Sequence, residues 1–255
     1  MRNLHIIMVI LAMLLSSALA VSAEDLDQVK KNGSLSMAMS GQYPPFNFVN
    51  DKNQLTGFDV ETCSEIARRI GVSAKPLSTA WDGIIAGLLA NKYELICGSM
   101  AITDERLKAI DFSDPYYRSG AQLFVKKGSA IQSVKDMEGK KIGVTLGTTY
   151  EKWVRDNIKD ADIRSYKGVP DMILETSSGR ISGFVSDKIV GALAIKDKGA
   201  PIQLAGPLLY EEKMGIALRQ GNPELKKAIN TALENMKADG TYADISTKWL
   251  GIDVR

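Results

Sequence analysis

The sequence predicts an α/β fold, and three observations carry that expectation. Apolar runs of strand length alternate along most of the chain with apolar stripes at helical spacing. Boundary residues punctuate them: Thr103 stands where a helix N-cap belongs, and Gly71 closes a stripe as a C-cap. The 255 residues are 45% hydrophobic and 24% charged, enough for one large domain or two smaller ones.

Residues 1–23 precede the folded part. They begin with Arg2, run apolar from Ile6 to Leu15, and end in the small residues Ala18-Leu19-Ala20 and Val21-Ser22-Ala23. This is the layout of a secretory signal peptide cleaved after Ala23 or Ala20. A retained anchor is the alternative, since the run approaches spanning length; small residues before Glu24-Asp25 favour cleavage. No cysteine follows the run, so no lipid anchor is expected, and no later segment is apolar enough to span a bilayer. The expected destination is the periplasm.

Leu35–Met39 alternates as a short strand, and Gln42-Tyr43-Pro44-Pro45-Phe46-Asn47-Phe48 is a proline-stiffened aromatic loop whose Phe46 and Phe48 read as core. From Gly57 to Gly71, apolar residues at Val60, Cys63, Ala67 and Ile70 form a helical stripe. Asp59 and Glu61 suit the dipole at its start, so we read them as structural or partner-facing rather than as a catalytic pair. Cys63 on that stripe and Cys97 in a later strand are either a disulfide or two buried thiols, because spacing alone does not fix their separation. Ala80–Leu89 reads as a helix entered at Trp81.

Leu95-Ile96-Cys97 reads as a buried strand, followed by a helix capped by Thr103 with Arg106 in its first turn. A cation there opposes the positive end of the helix unless an anion binds nearby. Free N–H groups and a forked guanidinium make a receptor for a small carboxylate. The plain alternative is a surface Arg106 paired with Asp104 or Glu105.

A second α/β unit follows: a short helix and turn at Ser133–Gly139, a strand at Lys141–Val144, Leu146-Gly147-Thr148-Thr149-Tyr150 leading into a helix at Glu151–Ile158, a strand at Ile163–Tyr166 and a helix at Asp171–Ser177. The glycine turn before that helix suits phosphate as readily as carboxylate, but no Gly-Lys-Thr of an NTPase loop is present. Gly179–Asp187 reads as a strand ending in an acid, with helix capping as the plain role for Asp187. A helix at Ile189–Ile195, a strand at Gly215–Leu218 and helices at Pro223–Lys237 and Ala243–Trp249 complete the chain.

Several chemistries are excluded. The only histidine, His5, lies in the leader, so the mature chain has no Ser-His-Asp or Cys-His site and no histidine-ligated metal; we expect no cofactor and no metal. With 32 basic and 30 acidic residues and no basic block, nucleic acid is not an expected partner.

Thr103-Asp104-Glu105-Arg106 followed by Asp111-Phe112-Ser113-Asp114-Pro115-Tyr116-Tyr117 strongly resembles the bacterial extracellular (family 3) solute-binding proteins that deliver polar amino acids to ABC importers. Gly57-Phe58-Asp59, Asp239-Gly240-Thr241-Tyr242 and Lys248-Trp249-Leu250-Gly251 extend the resemblance over nearly all of residues 33–251, although Thr62 stands where the family usually has an aliphatic residue. The resemblance implies a two-lobed periplasmic binding protein-like fold of type II, an α/β architecture with lobe 1 at 24–115 and 215–255, lobe 2 at 120–210, and crossovers at 116–119 and 211–214. It implies a ligand carboxylate on Arg106, with N–H groups near Ala101, Thr148 and Thr149. Asp187 and a carbonyl near Ser99 would take the ammonium, and Tyr43 and Trp81 would sandwich the side chain.

Ser40 stands where relatives selective for basic amino acids carry an acid, which disfavours lysine and arginine. Thr145 stands where some relatives, the glutamine binder among them, carry a lysine. Gly147–Trp153 and Trp81–Leu88 are similar to the cystine-binding branch. The expectation is a monomer that binds a neutral polar amino acid or cystine and presents it to an inner-membrane permease. A periplasmic cyclohexadienyl dehydratase on the same fold is the alternative, with Asp187 as its acid, and a ligand-sensing module is a third.

Overall fold

Two long strands, paired antiparallel at the centre of the main sheet, organise everything else. The computed structural model describes residues 25–255; the expected leader lies outside the described residues. The chain begins with α1 (Asp25–Asn32), β1 (Ser34–Met39), a small meander β2 (Gln42–Tyr43), β3 (Asn47–Val49) and β4 (Leu55–Thr56), α2 (Phe58–Ile70), β5 (Ser73–Ser78), α3 (Ile84–Leu89), β6 (Leu95–Ala101), α4 (Asp104–Leu107) and β7 (Ile110–Phe112). It crosses on β8 (Tyr117–Lys126) into β9 (Lys141–Thr145), α5 (Thr149–Asn157), β10 (Asp162–Tyr166), α6 (Val169–Ser177), β11 (Gly183–Asp187) and α7 (Lys188–Lys198). It returns on β12 (Ile202–Arg219) and ends with α8 (Pro223–Ala238) and α9 (Thr241–Leu250).

The strands lie in the order β10-β9-β11-β8-β12-β6-β1-β5, with β7 added to β12. The β1/β5, β1/β6, β9/β10 and β9/β11 pairs are parallel, as expected of strands joined through helices. β8 and β12 are antiparallel, paired from Lys126 opposite Ile202 to Tyr117 opposite Met214, with a bulge between Ala205 and Tyr210. The sequence suggests a separate crossover at Tyr210–Met214 and strand at Gly215–Leu218. One 18-residue strand spans both, because Met214 belongs to two ladders at once, pairing with Tyr117 of β8 and Ala101 of β6.

Local chemistry accounts for the elements. α2 buries Val60, Cys63, Ile66 and Ala67 and ends at Gly71, whose left-handed backbone returns its N–H to the carbonyls of Ala67 and Arg68. Gly57 at its start has φ 124°, and a Cβ there would lie 2.4 Å from the Phe46 carbonyl oxygen. Phe46 is buried, as expected, whereas Phe48 is half-buried with its edge on Trp249. The cysteines, left open by the sequence, are joined: Cys63–Cys97 ties α2 to β6 across a Cα separation of 6.6 Å.

Three further elements differ from the sequence expectation. The Ala80–Leu89 helix begins as a 3₁₀ turn at Trp81–Gly83. The strand ending at Asp187 starts at Gly183, since Gly179 (φ 76°) and the Arg180 N–H, bonded to the Glu175 carbonyl, still belong to the end of α6. The helix holding Arg106 has only four residues, because the chain must re-enter the sheet at Ile110. One turn has little macrodipole, so the dipole conflict at Arg106 expected from the sequence is weak.

Candidate functional site

A cleft opens where the ends of β1 and β6 face the N-terminus of α5 across the β8–β12 pair. Its inner cavity is lined by Ser40, Tyr43, Trp81, Ser99, Ala101 and Arg106 on one side and by Thr145, Thr148, Thr149, Tyr150 and Lys167 on the other. Gln42, Gly98, Gly168 and Glu212 complete the lining. Nine of the ten residues singled out from the sequence thus share one cavity. Asp187 is the exception.

The Arg106 side is built as a hydrogen-bonded chain. Ser40 Oγ and the Gly41 N–H donate to Asn47 Oδ1, at 3.0 and 2.9 Å, and Asn47 Nδ2 donates to Asp59 Oδ2 at 2.7 Å. Asp59 also accepts from Ser99 Oγ at 2.9 Å and from the Tyr116 hydroxyl at 2.6 Å, while the Ser99 N–H donates to that hydroxyl at 2.9 Å. Burial pushes the Asp59 carboxyl up to about 6, and its bonds to Tyr116, Asn47 and Ser99 hold it from rising further. Ser99 sits at φ 57°, a conformation uncommon outside glycine that this network holds in place. Asp59 is therefore structural, one of the two readings its position allows. Glu61 joins helices instead, accepting from Lys248 Nζ at 2.7 Å and Trp249 Nε1 at 2.6 Å.

Arg106 comes from α4, where Thr103 caps the turn by accepting from the Arg106 N–H at 3.2 Å. Its Nη1 donates to the Ala101 carbonyl at 2.8 Å. Among the described residues it has no ion pair, and neither Asp104 nor Glu105 takes it. Burial lowers its affinity for a proton, opposed chiefly by the negative potential of Glu212. A forked cation held in place with free donors is the arrangement that a carboxylate fits.

Across the cleft, Thr148 caps α5: its Oγ accepts from the Glu151 N–H at 3.2 Å and donates to the Thr145 carbonyl at 2.6 Å. Gly147 closes the turn and gives its N–H to Glu151 Oε2 at 2.7 Å. Asp187 is fully buried and caps α7, accepting from the Ile189 N–H at 2.7 Å and from Ser119 Oγ at 2.8 Å. Its other oxygen, Oδ2, has no hydrogen-bond partner among the described residues. Burial drives this carboxyl up to about 7, with the two donors to Oδ1 lowering it and Glu212 raising it. The structure thus gives Asp187 a capping role and leaves half of its carboxylate free, one layer behind the cavity lining.

Sequence reasoning missed Gln42, Gly98, Tyr150, Lys167, Gly168 and Glu212. Gly98 and Tyr150 adjoin residues it had named. Lys167 and Gly168 follow β10 with no signature at all. Glu212 lies inside the return crossover, a stretch read for its path and not for its side chains. The inner cavity measures about 40 Å³, and an outer chamber of about 530 Å³ shares Ser40, Gln42, Trp81, Thr145 and Lys167 with it. The inner space holds a few waters and no amino acid, so admission of a ligand requires the walls to part.

A two-part α/β molecule with a polar cleft across two shared strands defines a class of hinged binding proteins. The model of the bacterial extracellular solute-binding proteins, family 3, matches residues 35–252, and the chain belongs to that family. It is 39% identical over 231 residues to the L-cystine-binding protein TcyJ of Escherichia coli strain K12, covering 90% of this chain and 87% of that one. Among solved structures, an ancestral arginine-binding protein bound to arginine aligns with a TM-score of 0.80 at 38% identity, over 86% of this chain and 99% of the other. An ancestral amino acid-binding protein described as a precursor of cyclohexadienyl dehydratase aligns with a TM-score of 0.83 at 36% identity, over 89% and 99%. Among the described residues no helix is long and apolar enough to cross a membrane.

Proposed function

We propose that this chain binds a polar amino acid in the periplasm and delivers it to an ABC importer permease. The observation that carries the reading is Arg106, a half-buried guanidinium without a carboxylate partner among the described residues, lining one cleft with the capped start of α5. The ligand carboxylate sits on Arg106, with Ala101, Thr148 and Thr149 completing its shell. The ammonium is taken by the free oxygen of Asp187 and the backbone near Ser99. Tyr43 and Trp81 cover the side chain, while Ser40 and Thr145 bound its far end.

Residues 116–119 and 211–214 serve as the hinge between lobe 1 (24–115 and 215–255) and lobe 2 (120–210). Because both lobes contribute contacts, ligand has higher affinity for the closed form and shifts the population toward it. That closed form is what the permease recognises, and the chain acts as a monomer after its leader is cleaved. The relatives named above are binding proteins, which supports a role without bond breaking.

A thermal-shift screen of the common amino acids and cystine tests the reading, since a ligand that binds only the native state raises its melting temperature. At least one should stabilise the protein strongly. No shift with any of them would overturn the assignment, and turnover of arogenate or prephenate would replace it with an enzyme.

A further inference from the structure

Among the described residues Glu212 is the one acidic side chain that lines the inner cavity, and the family resemblance gives it no role. It projects from β12 opposite Ser119 of β8, at the point where the two crossing strands run side by side. The residue is 8% exposed, and its Oε2 is sealed from solvent with no hydrogen-bond partner. Burial raises its carboxyl above the ordinary range, while the hydroxyls of Thr149 and Tyr150 and the charge of Arg106 draw it back. No cation lies within ion-pair distance among the described residues.

Counting charges shows what is missing. A simple amino acid zwitterion matches Arg106 and Asp187 one for one; of the two lining charges that remain, Lys167 is exposed to solvent and Glu212 is buried with no ion pair to it. A buried carboxylate without a counter-charge is costly, so it either stays protonated or meets a cation. Ser40, the position where an acid was sought for basic ligands, is committed through its hydroxyl to Asn47. The acid enters the cleft from a different strand.

We propose that Glu212 is a specificity residue that receives a second nitrogen cation of the ligand, beyond the α-ammonium. This rests on the amino acid-binding reading above and narrows its ligand class. Two sources share that chemistry. One is a basic side chain, ending in an ammonium or guanidinium. The other is a pair of amino acids joined through a disulfide, whose second ammonium meets Glu212 and whose second carboxylate meets Lys167, the exposed cation common to both chambers.

Calorimetry with matched ligands tests it. L-Arginine is compared with L-citrulline, nearly the same shape without the charge, and L-cystine with S-methyl-L-cysteine, which lacks the second head. The wild-type chain should favour the charged member of at least one pair by about tenfold or more. E212Q should erase that preference while leaving the neutral member within about threefold. E212Q should also raise the melting temperature of the free protein, since an uncompensated buried acid is removed. K167M should weaken cystine alone, which separates the two sources.

Equal affinity for both members of each pair in the wild type, a reading that needs no variant, would overturn the proposal. So would an unchanged preference in E212Q. If S-methyl-L-cysteine or citrulline binds well and E212Q is silent, the role of Glu212 fails while amino acid binding stands. If no amino acid binds at all, the underlying reading has failed.

Discussion

On the wall that carries Arg106, the polar groups behind the guanidinium are already bonded to one another: Ser40 holds Asn47, Asn47 holds Asp59, and Asp59 holds Ser99 and Tyr116. On the wall opposite and along the crossing strands, Asp187 Oδ2 and Glu212 Oε2 are buried with no partner among the described residues. Each such group costs about 1–3 kcal/mol while it stays unpaired. The first wall is a finished template whose geometry is set before any ligand arrives. The second keeps carboxylate oxygens unpaired, which on the proposed function a zwitterion with the right donors would relieve.

The largest effect should come from the template's one charged donor. Arg106→Ala should weaken amino acid binding by about 2–5 kcal/mol, because the ligand carboxylate is desolvated without its partner. Unchanged affinity by calorimetry would remove Arg106 from the site. Bracing of the same wall comes next. The Cys63–Cys97 bond closes a loop of 34 residues. Replacing both cysteines by serine should lower stability by about 3–4 kcal/mol in denaturant titrations on the chain-entropy estimate. Ligand affinity should hold, since the bond lies behind the wall; a collapse of affinity at full folding would mean that the template needs the bond for its shape.

Closure can be tested where the two sides touch. A Cβ on Gly168 would lie 2.5 Å from the Gln42 carbonyl oxygen across the cleft. Gly168→Ala should hold the sides apart and cut affinity by roughly tenfold, with the melting temperature of the free protein nearly unchanged. Scattering that reports the same compact closed form with ligand would contradict this contact.

A pH slope gives the last test. Folded Asp187 and Asp59 keep protons up to about 7 and about 6. In the unfolded chain both lose them in the ordinary carboxylate range, near about 4. The folded state thus binds more protons in this window, and stability falls as pH rises from about 4 to about 7, by at most about 1.4 kcal/mol per pH unit for each group. Melting curves of the free protein should show that decline, Asp187→Asn should flatten it, and a ligand with an ammonium should oppose it. A melting temperature that climbs through the window would refute the burial of these acids.

Much of the fold is legible from short-range chemistry. Gly57 and Gly71 bracket α2, Thr103 and Thr148 cap the turns that carry Arg106 and Thr149, and alternating apolar runs locate β1, β6 and β9. These signals survive in sequence because each is settled within a few residues. Fusion of the return crossover with the last strand into β12 was not legible, since ladder pairing with β8 and β6 decides it. The state of the cysteines likewise depended on how α2 packs against β6.

The same division runs through the site. By itself the sequence determined an α/β chain with an arginine on a capped turn and a cleft lined by hydroxyls and aromatics, because residue type and local spacing carry that information. Tertiary structure alone decided which carboxylate oxygens are left free. Asp187 spends one oxygen on α7 and Ser119, and Glu212 turns from a crossing strand into the cavity beside Arg106. Burial and partner geometry are properties of the assembled molecule, and they determine which charges a ligand must bring.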